Sequence, residues 1–176
     1  MSFNALSLLN LINPEIVIAA VNRLSEEQGS PGRTGGVIAI AVINKTKPEL
    51  SSFASAAIGA PGLKVTSYGK NVSEKIWRLY TRRAEGKDEF AASQSADPGH
   101  TTHPTYGGCI VFKLCLPDKG EDDLDIYISF SGAPPDVDEV IVYVLGESMG
   151  FVNMISGYPL YERAHELLKG AVINMP

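Results

Sequence analysis

Apolar and polar positions change period along this chain, and each change marks an element. Asn13-Pro14-Glu15 has the makings of a helix start: Asn caps, Pro takes the first helical position and Glu meets the positive end of the dipole. Val17, Ala20, Val21 and Leu24 follow at helical spacing. Gln28 to Gly36 holds four glycines and a proline, a loop composition. It opens on Val37–Ile43, a continuous apolar run that predicts a strand covered on both faces. Lys45 to Pro48 turns the chain, and Phe53 to Ile58 is a small-residue segment compatible with a strand or a helix. Gly59-Ala60-Pro61-Gly62 is a second turn.

Asn71, with Glu74 three residues on, gives a capping-box pattern and predicts the next helix. Val72, Ile76, Leu79 and Tyr80 form its apolar side, and Lys75, Arg78 and Arg82 a basic one. Glu85 to Thr105 is a long polar stretch, and loops of about 20 residues in compact domains are usually functional or mobile. Tyr106-Gly107-Gly108 opens a strand from Cys109 to Leu116; Pro117 to Asp123 is an acidic turn, and Asp125 to Ser131 the return strand. Gly132 to Asp136 breaks the strand and starts a helix with Val137, Val140, Ile141, Val144 and Leu145 along one side. A last helix, Pro159 to Lys169, is closed by Gly170. This order predicts one layered α/β domain over residues 1–176 on a mainly antiparallel sheet. An N-terminal arm (1–12) and an extra C-terminal helix (158–170) are appended to it.

Composition narrows the classes. With 176 residues, 44% hydrophobic and 20% charged, and a mean hydropathy of +0.03, the chain has globular composition. A net charge of −5 disfavours nucleic acid or an anionic membrane as partner. No stretch reaches the ~18 apolar residues of a membrane span, and Ala5–Ile12 lacks a basic leader. Cys109 and Cys115, six apart, are too distant along a straight strand to bridge each other. They read as reduced thiols, and the expected location is cytoplasmic.

Tyr106-Gly107-Gly108-Cys-Ile-Val-Phe, a hairpin, then Ile128-Ser-Phe-Ser131-Gly132-Ala133-Pro-Pro-Asp-Val-Asp138-Glu139 resemble the GlcG/HbpS-like family. In that family a glycine-rich opening feeds a strand, a second strand ends in Ser-Gly, and a proline-started helix carries an Asp-Glu pair. The resemblance spans about residues 13 to 150. It implies a profilin-like fold, a three-layer α-β-α sandwich with a mainly antiparallel five-stranded sheet, that assembles into homo-oligomers and binds a small molecule, with haem or a related tetrapyrrole as the implied ligand. The segment from Gly86 to Thr105 and the tail from Phe151 depart from the family pattern.

Candidate chemistry gathers before the glycine pair. His100 and His103, three apart, are weak metal candidates with Asp97 or Tyr106 as a third ligand. His100, His103 or Tyr106 also has the chemistry of a haem axial ligand. A solvated loop is the plainer reading. His103 and Tyr106 form an alternative acid–base pair beside the Gly107-Gly108 amides, as a cofactor-independent isomerase, cyclase or lyase would need; alternatively the glycines only permit a tight turn. Lys75, Arg78, Arg82 and Arg83 would receive an anionic group, or simply form a solvated face partly neutralised by Glu74. Trp77 serves as core, pocket wall or subunit contact. The expected binding set is therefore His100, Trp77, Arg78, Arg82, Gly107 and Gly108. Asp138 and Glu139 are assigned to the helix dipole, with a pocket-facing role as the alternative.

Overall fold

The computed structural model describes residues 4–85, 107–114, 124–153, 158 and 160–173. Five strands, β1 (Gly35–Asn44), β2 (Ser52–Gly59), β3 (Cys109–Leu114), β4 (Leu124–Ser131) and β5 (Phe151–Val152), form one sheet in the order β2-β1-β4-β3-β5. Every neighbouring pair is antiparallel. Helices α1 (Ala5–Leu9), α2 (Pro14–Glu27), α4 (Pro135–Ser148) and α5 (Tyr161–Leu167) belong to one layer, and α3 (Val65–Ala84) alone forms the other. This is the three-layer α-β-α sandwich expected. Among the described residues, no helix is long and apolar enough to cross a membrane.

Strand alternation explains why both faces are apolar. Ile38, Ile40 and Val42 of β1, with Ile126, Ile128 and Phe130 of β4, join the core beneath α2 and α4. The intervening Val37, Ala39, Ala41, Val111 and Tyr127 meet Val72, Ile76 and Leu79 of α3. Small alanines on that face leave room for the single helix. Asn13 caps α2 as its sequence predicts, its side-chain oxygen accepting from the Glu15 and Ile16 amides.

Several boundaries differ from expectation. α3 begins at Val65, six residues before Asn71, following a 3-10 turn at Gly62–Lys64. Asn71 therefore caps nothing; its amide donates to the Ser131 hydroxyl at 3.4 Å. The small-residue segment is a strand, β2, because pairing with β1 satisfies its backbone. α4 is buried from Val137 through Gly146 and so has no solvent side. The fifth strand, β5, lies at Phe151–Val152, where the sequence pattern marks none, and the last helix is shorter, Tyr161–Leu167, with Gly170 in the left-handed region (φ 76°) behind it. The N-terminal arm contains α1, whose Ala5 and Leu8 enter the core. Cys115 and the acidic turn lie outside the described residues.

A candidate site where buried charges meet the glycine pair

α3 is pinned to β4 at two levels. Near its C-terminal end, Arg83 binds Asp125 at 3.0 Å, and Lys45 approaches the other carboxylate oxygen at 3.3 Å. Eight residues earlier the attachment is of a different kind. Lys75 is 1% exposed, and its ammonium donates to the Phe130 carbonyl at 2.6 Å and to Asp138 Oδ2 at 3.1 Å. Asp138 is itself buried, and its other oxygen accepts from the Ala133 amide at 2.8 Å. One carboxylate thus ties α3 to the first turn of α4 and to the bend that leaves β4.

Gly107 and Gly108 lie directly over these groups. Gly108, at φ 108°, is in a conformation that side-chain-bearing residues rarely adopt. A β-carbon there would stand 2.6 Å from Asp138 Cβ and 3.0 Å from Lys75 Nζ. At Gly107 it would stand 2.9 Å from Glu139 Oε2. Gly108 is therefore required by its backbone conformation and by the close approach of Asp138, whereas a side chain at Gly107 would have to displace the Glu139 carboxylate. Glu139 is 2% exposed, so three ionisable side chains are enclosed at this end of the sheet.

The enclosure sets their electrostatics. Burial pushes the Asp138 carboxyl up to about 7, against the opposing pull of the Lys75 ammonium and the Ala133 and Gly132 amides. Burial likewise pushes the Cys109 thiol up to about 12, against Lys75 and Arg78. Burial, with the Glu139 carboxylate beside it, raises the Tyr158 phenol far above its ordinary range. An acid held near neutrality, a lysine and backbone amides together have the components of proton transfer and of anion recognition.

The expected binding residues divide accordingly. Gly107 and Gly108 form part of the cluster, and Arg78 is near enough to act on the Cys109 thiol. Arg82 lies one helical turn beyond Arg78 on the same flank. Trp77 is 67% exposed and stacks on Tyr80, on the flank of α3 away from Lys75 and the glycines, so it is no wall of this site. Lys75 is no part of a solvated basic face, and Glu74 pairs with Lys70 at 3.7 Å. His100, His103 and Tyr106 lie outside the described residues.

Haem does not fit the described part of this cluster. Of the haem-ligand types in its described part, burial holds Cys109 as a thiol and Tyr158 as a phenol, rather than the ionised forms that bind iron. Among the described residues, no three His, Cys, Asp or Glu side chains gather as a metal-binding group.

Sequence reasoning weighed Lys75, Asp138 and Glu139 but left them out of the expected binding set, although a signal for the burial of each existed. Lys75 lies three residues after Val72 and four before Leu79, inside the apolar stripe. Asp138 and Glu139 open a helix whose next seven residues are all apolar apart from one phenol, so the helix has no polar side to hold them. Among known proteins, no family model, no curated protein and no solved structure matches the chain.

Proposed function

We propose that the protein binds a small organic molecule bearing an anionic or carbonyl group at the Gly107–Gly108 end of the sheet, and that it works as a homo-oligomer in the cytoplasm. The observation that carries this reading is the enclosure of Lys75, Asp138 and Glu139 beneath two glycines whose backbone rests on them. Burying three ionisable groups costs stability that apolar residues of the same size would not, and such groups cluster at functional sites. Arg78, on the flank of α3 facing Cys109, is the cation at the rim that receives the ligand's charge. The likeness to GlcG/HbpS-like proteins supports a ligand-binding role and leaves haem as a compound to be tested.

A second reading is favoured by one observation, the Asp138 carboxyl raised to about 7 beside Lys75. A carboxyl titrating near neutrality serves as a general acid or base, the chemistry of a cofactor-independent isomerase, cyclase or lyase.

The experiment is a thermal-shift screen of small carboxylic acids and carbonyl compounds, run beside a haemin titration followed by absorbance. Binding that is weakened by Arg78→Ala and unchanged by Trp77→Ala is the expected result. A saturable Soret shift would instead assign haem, through residues other than those of the described cluster. Ligand binding that survives Arg78→Ala and is lost in Trp77→Ala would place the site on the other flank of α3.

A further inference from the structure

β2 is the long open edge of the sheet. β1 pairs one of its sides, and among the described residues no backbone group pairs the other. Monomeric proteins usually blunt such edges with lysine, proline or a bulge. Ser52–Gly59 has no charge and no proline, and its register with β1 runs unbroken from end to end. Among the described residues its face on the α3 side is also without a helix over it, because α3 packs on β1, β4 and β3. Phe53, Ser55 and Ala57 on that face are exposed. Of the nine large apolar side chains exposed among the described residues, five belong to this region: Phe53 itself, Leu50, Leu63 and Val65 in the flanking segments, and Leu6 on the helix packed against β2.

We propose that β2 pairs with β2 of a second copy of this chain, antiparallel about a twofold axis through Ser55, joining two five-stranded sheets into one of ten strands. Self-complementarity fixes this register. Ser55 faces Ser55 of the second copy, and on the same exposed face Phe53 lies opposite the small Ala57, twice. Every paired residue from Ser52 to Ile58 is then extended, whereas an axis at Ala56 would set Phe53 against Gly59, whose φ of 67° ends the strand.

The ends of the strand are complementary as well. Antiparallel pairing brings the turn Pro48–Leu50 of one copy beside Gly62–Lys64 of the other. These two flanking segments carry opposite charges, Glu49 and Lys64, and exposed leucines, Leu50 and Leu63. Lys47 adjoins the same turn and stays at the rim. This surface rests on the homo-oligomer part of the proposed function and is independent of ligand binding.

The test is sedimentation of the whole chain at tens of micromolar, with Ser55→Lys and Ser55→Cys beside the wild type. Wild type is expected at twice the 18.9 kDa chain mass. Ser55→Lys places two like charges across the axis and should weaken association by about tenfold or more. Its circular dichroism should be unchanged, because the serine is exposed. Ser55→Cys in a Cys115→Ser background, oxidised, should yield a covalent dimer that Cys115→Ser alone, with Cys109 buried, does not form. A wild-type monomer would remove both the homo-oligomer reading and this surface. A dimer indifferent to Ser55→Lys, with Ser55→Cys uncrosslinked, would keep the oligomer and remove β2 from its interface.

Discussion

Lys75 and Asp138, from helices on opposite faces of the sheet, meet at 3.1 Å with both side chains almost wholly buried. The contact passes around the end of β4, and the ammonium also takes the Phe130 carbonyl. It therefore clamps the two helical layers to each other through the strand between them.

Breaking a buried pair from one side leaves an uncompensated charge. At pH 8, Lys75→Met should cost about 3–5 kcal/mol of unfolding free energy. Lys75→Met with Asp138→Leu should cost clearly less than the two single changes added together. Denaturant titration of the four proteins reads the coupling directly. Strict additivity would mean that the pair does not interact in the folded state.

Gly108 and Gly62 separate backbone strain from steric conflict. Both have positive φ, 108° and 60°. Around Gly62 a methyl group meets nothing within 4 Å, so Gly62→Ala should cost only the left-handed conformation, about 1–2 kcal/mol. At Gly108 the methyl would meet Asp138 Cβ at 2.6 Å and the Phe130 carbonyl at 2.9 Å, so Gly108→Ala should cost about 3 kcal/mol or more. Equal losses in a denaturation experiment would show that the glycine pair does not rest on the charged groups.

Packing inside the core has a sharper instance. A β-carbon at Gly146 of α4 would run into the Phe112 ring of β3, with no left-handed backbone involved. Gly146→Ala should therefore destabilise by about 1–3 kcal/mol through overpacking. Phe112→Leu should recover much of that loss in the double variant, and denaturation midpoints of the three variants check it. Failure of the rescue would mean that α4 and β3 separate by another route.

The layers were legible because their signals are periodic. The seven apolar residues Val37–Ile43 could only be a strand covered on both faces, and β1 has helices on each. What escaped the sequence depended on contacts between distant segments. Asn71 has the composition of a cap, yet it lies inside α3, where its partner is Ser131, sixty residues away. Lys75 is charged and was assigned outward by type; its position in the apolar stripe pointed inward, and only Phe130 and Asp138 make that burial tolerable. Gly107-Gly108 was visible as a pair, but the need for glycine there comes from Asp138, Lys75 and Glu139, which the sequence places far away or on another element. Trp77 had three readings because aromatic type carries no direction, and its position on α3 turns it to solvent, on the flank away from Lys75.

Asp138 also predicts a pH dependence with a definite sign. Burial raises its carboxyl from 3.8 to about 7, more than Lys75 and the Ala133 and Gly132 amides lower it. Between those values the folded protein holds a proton that the unfolded chain has released. Asp138's contribution to stability is then fully present below pH 3.8 and is lost as the pH rises through about 7. Asparagine at this position cannot ionise. The stability of wild type relative to Asp138→Asn should therefore fall by up to about 1.4 kcal/mol per pH unit inside that window and level off above it. Urea titrations of both proteins at half-unit steps from pH 5 to 8.5 measure the difference. Parallel curves would mean that Asp138 is ionised throughout, with Lys75 fully offsetting its burial.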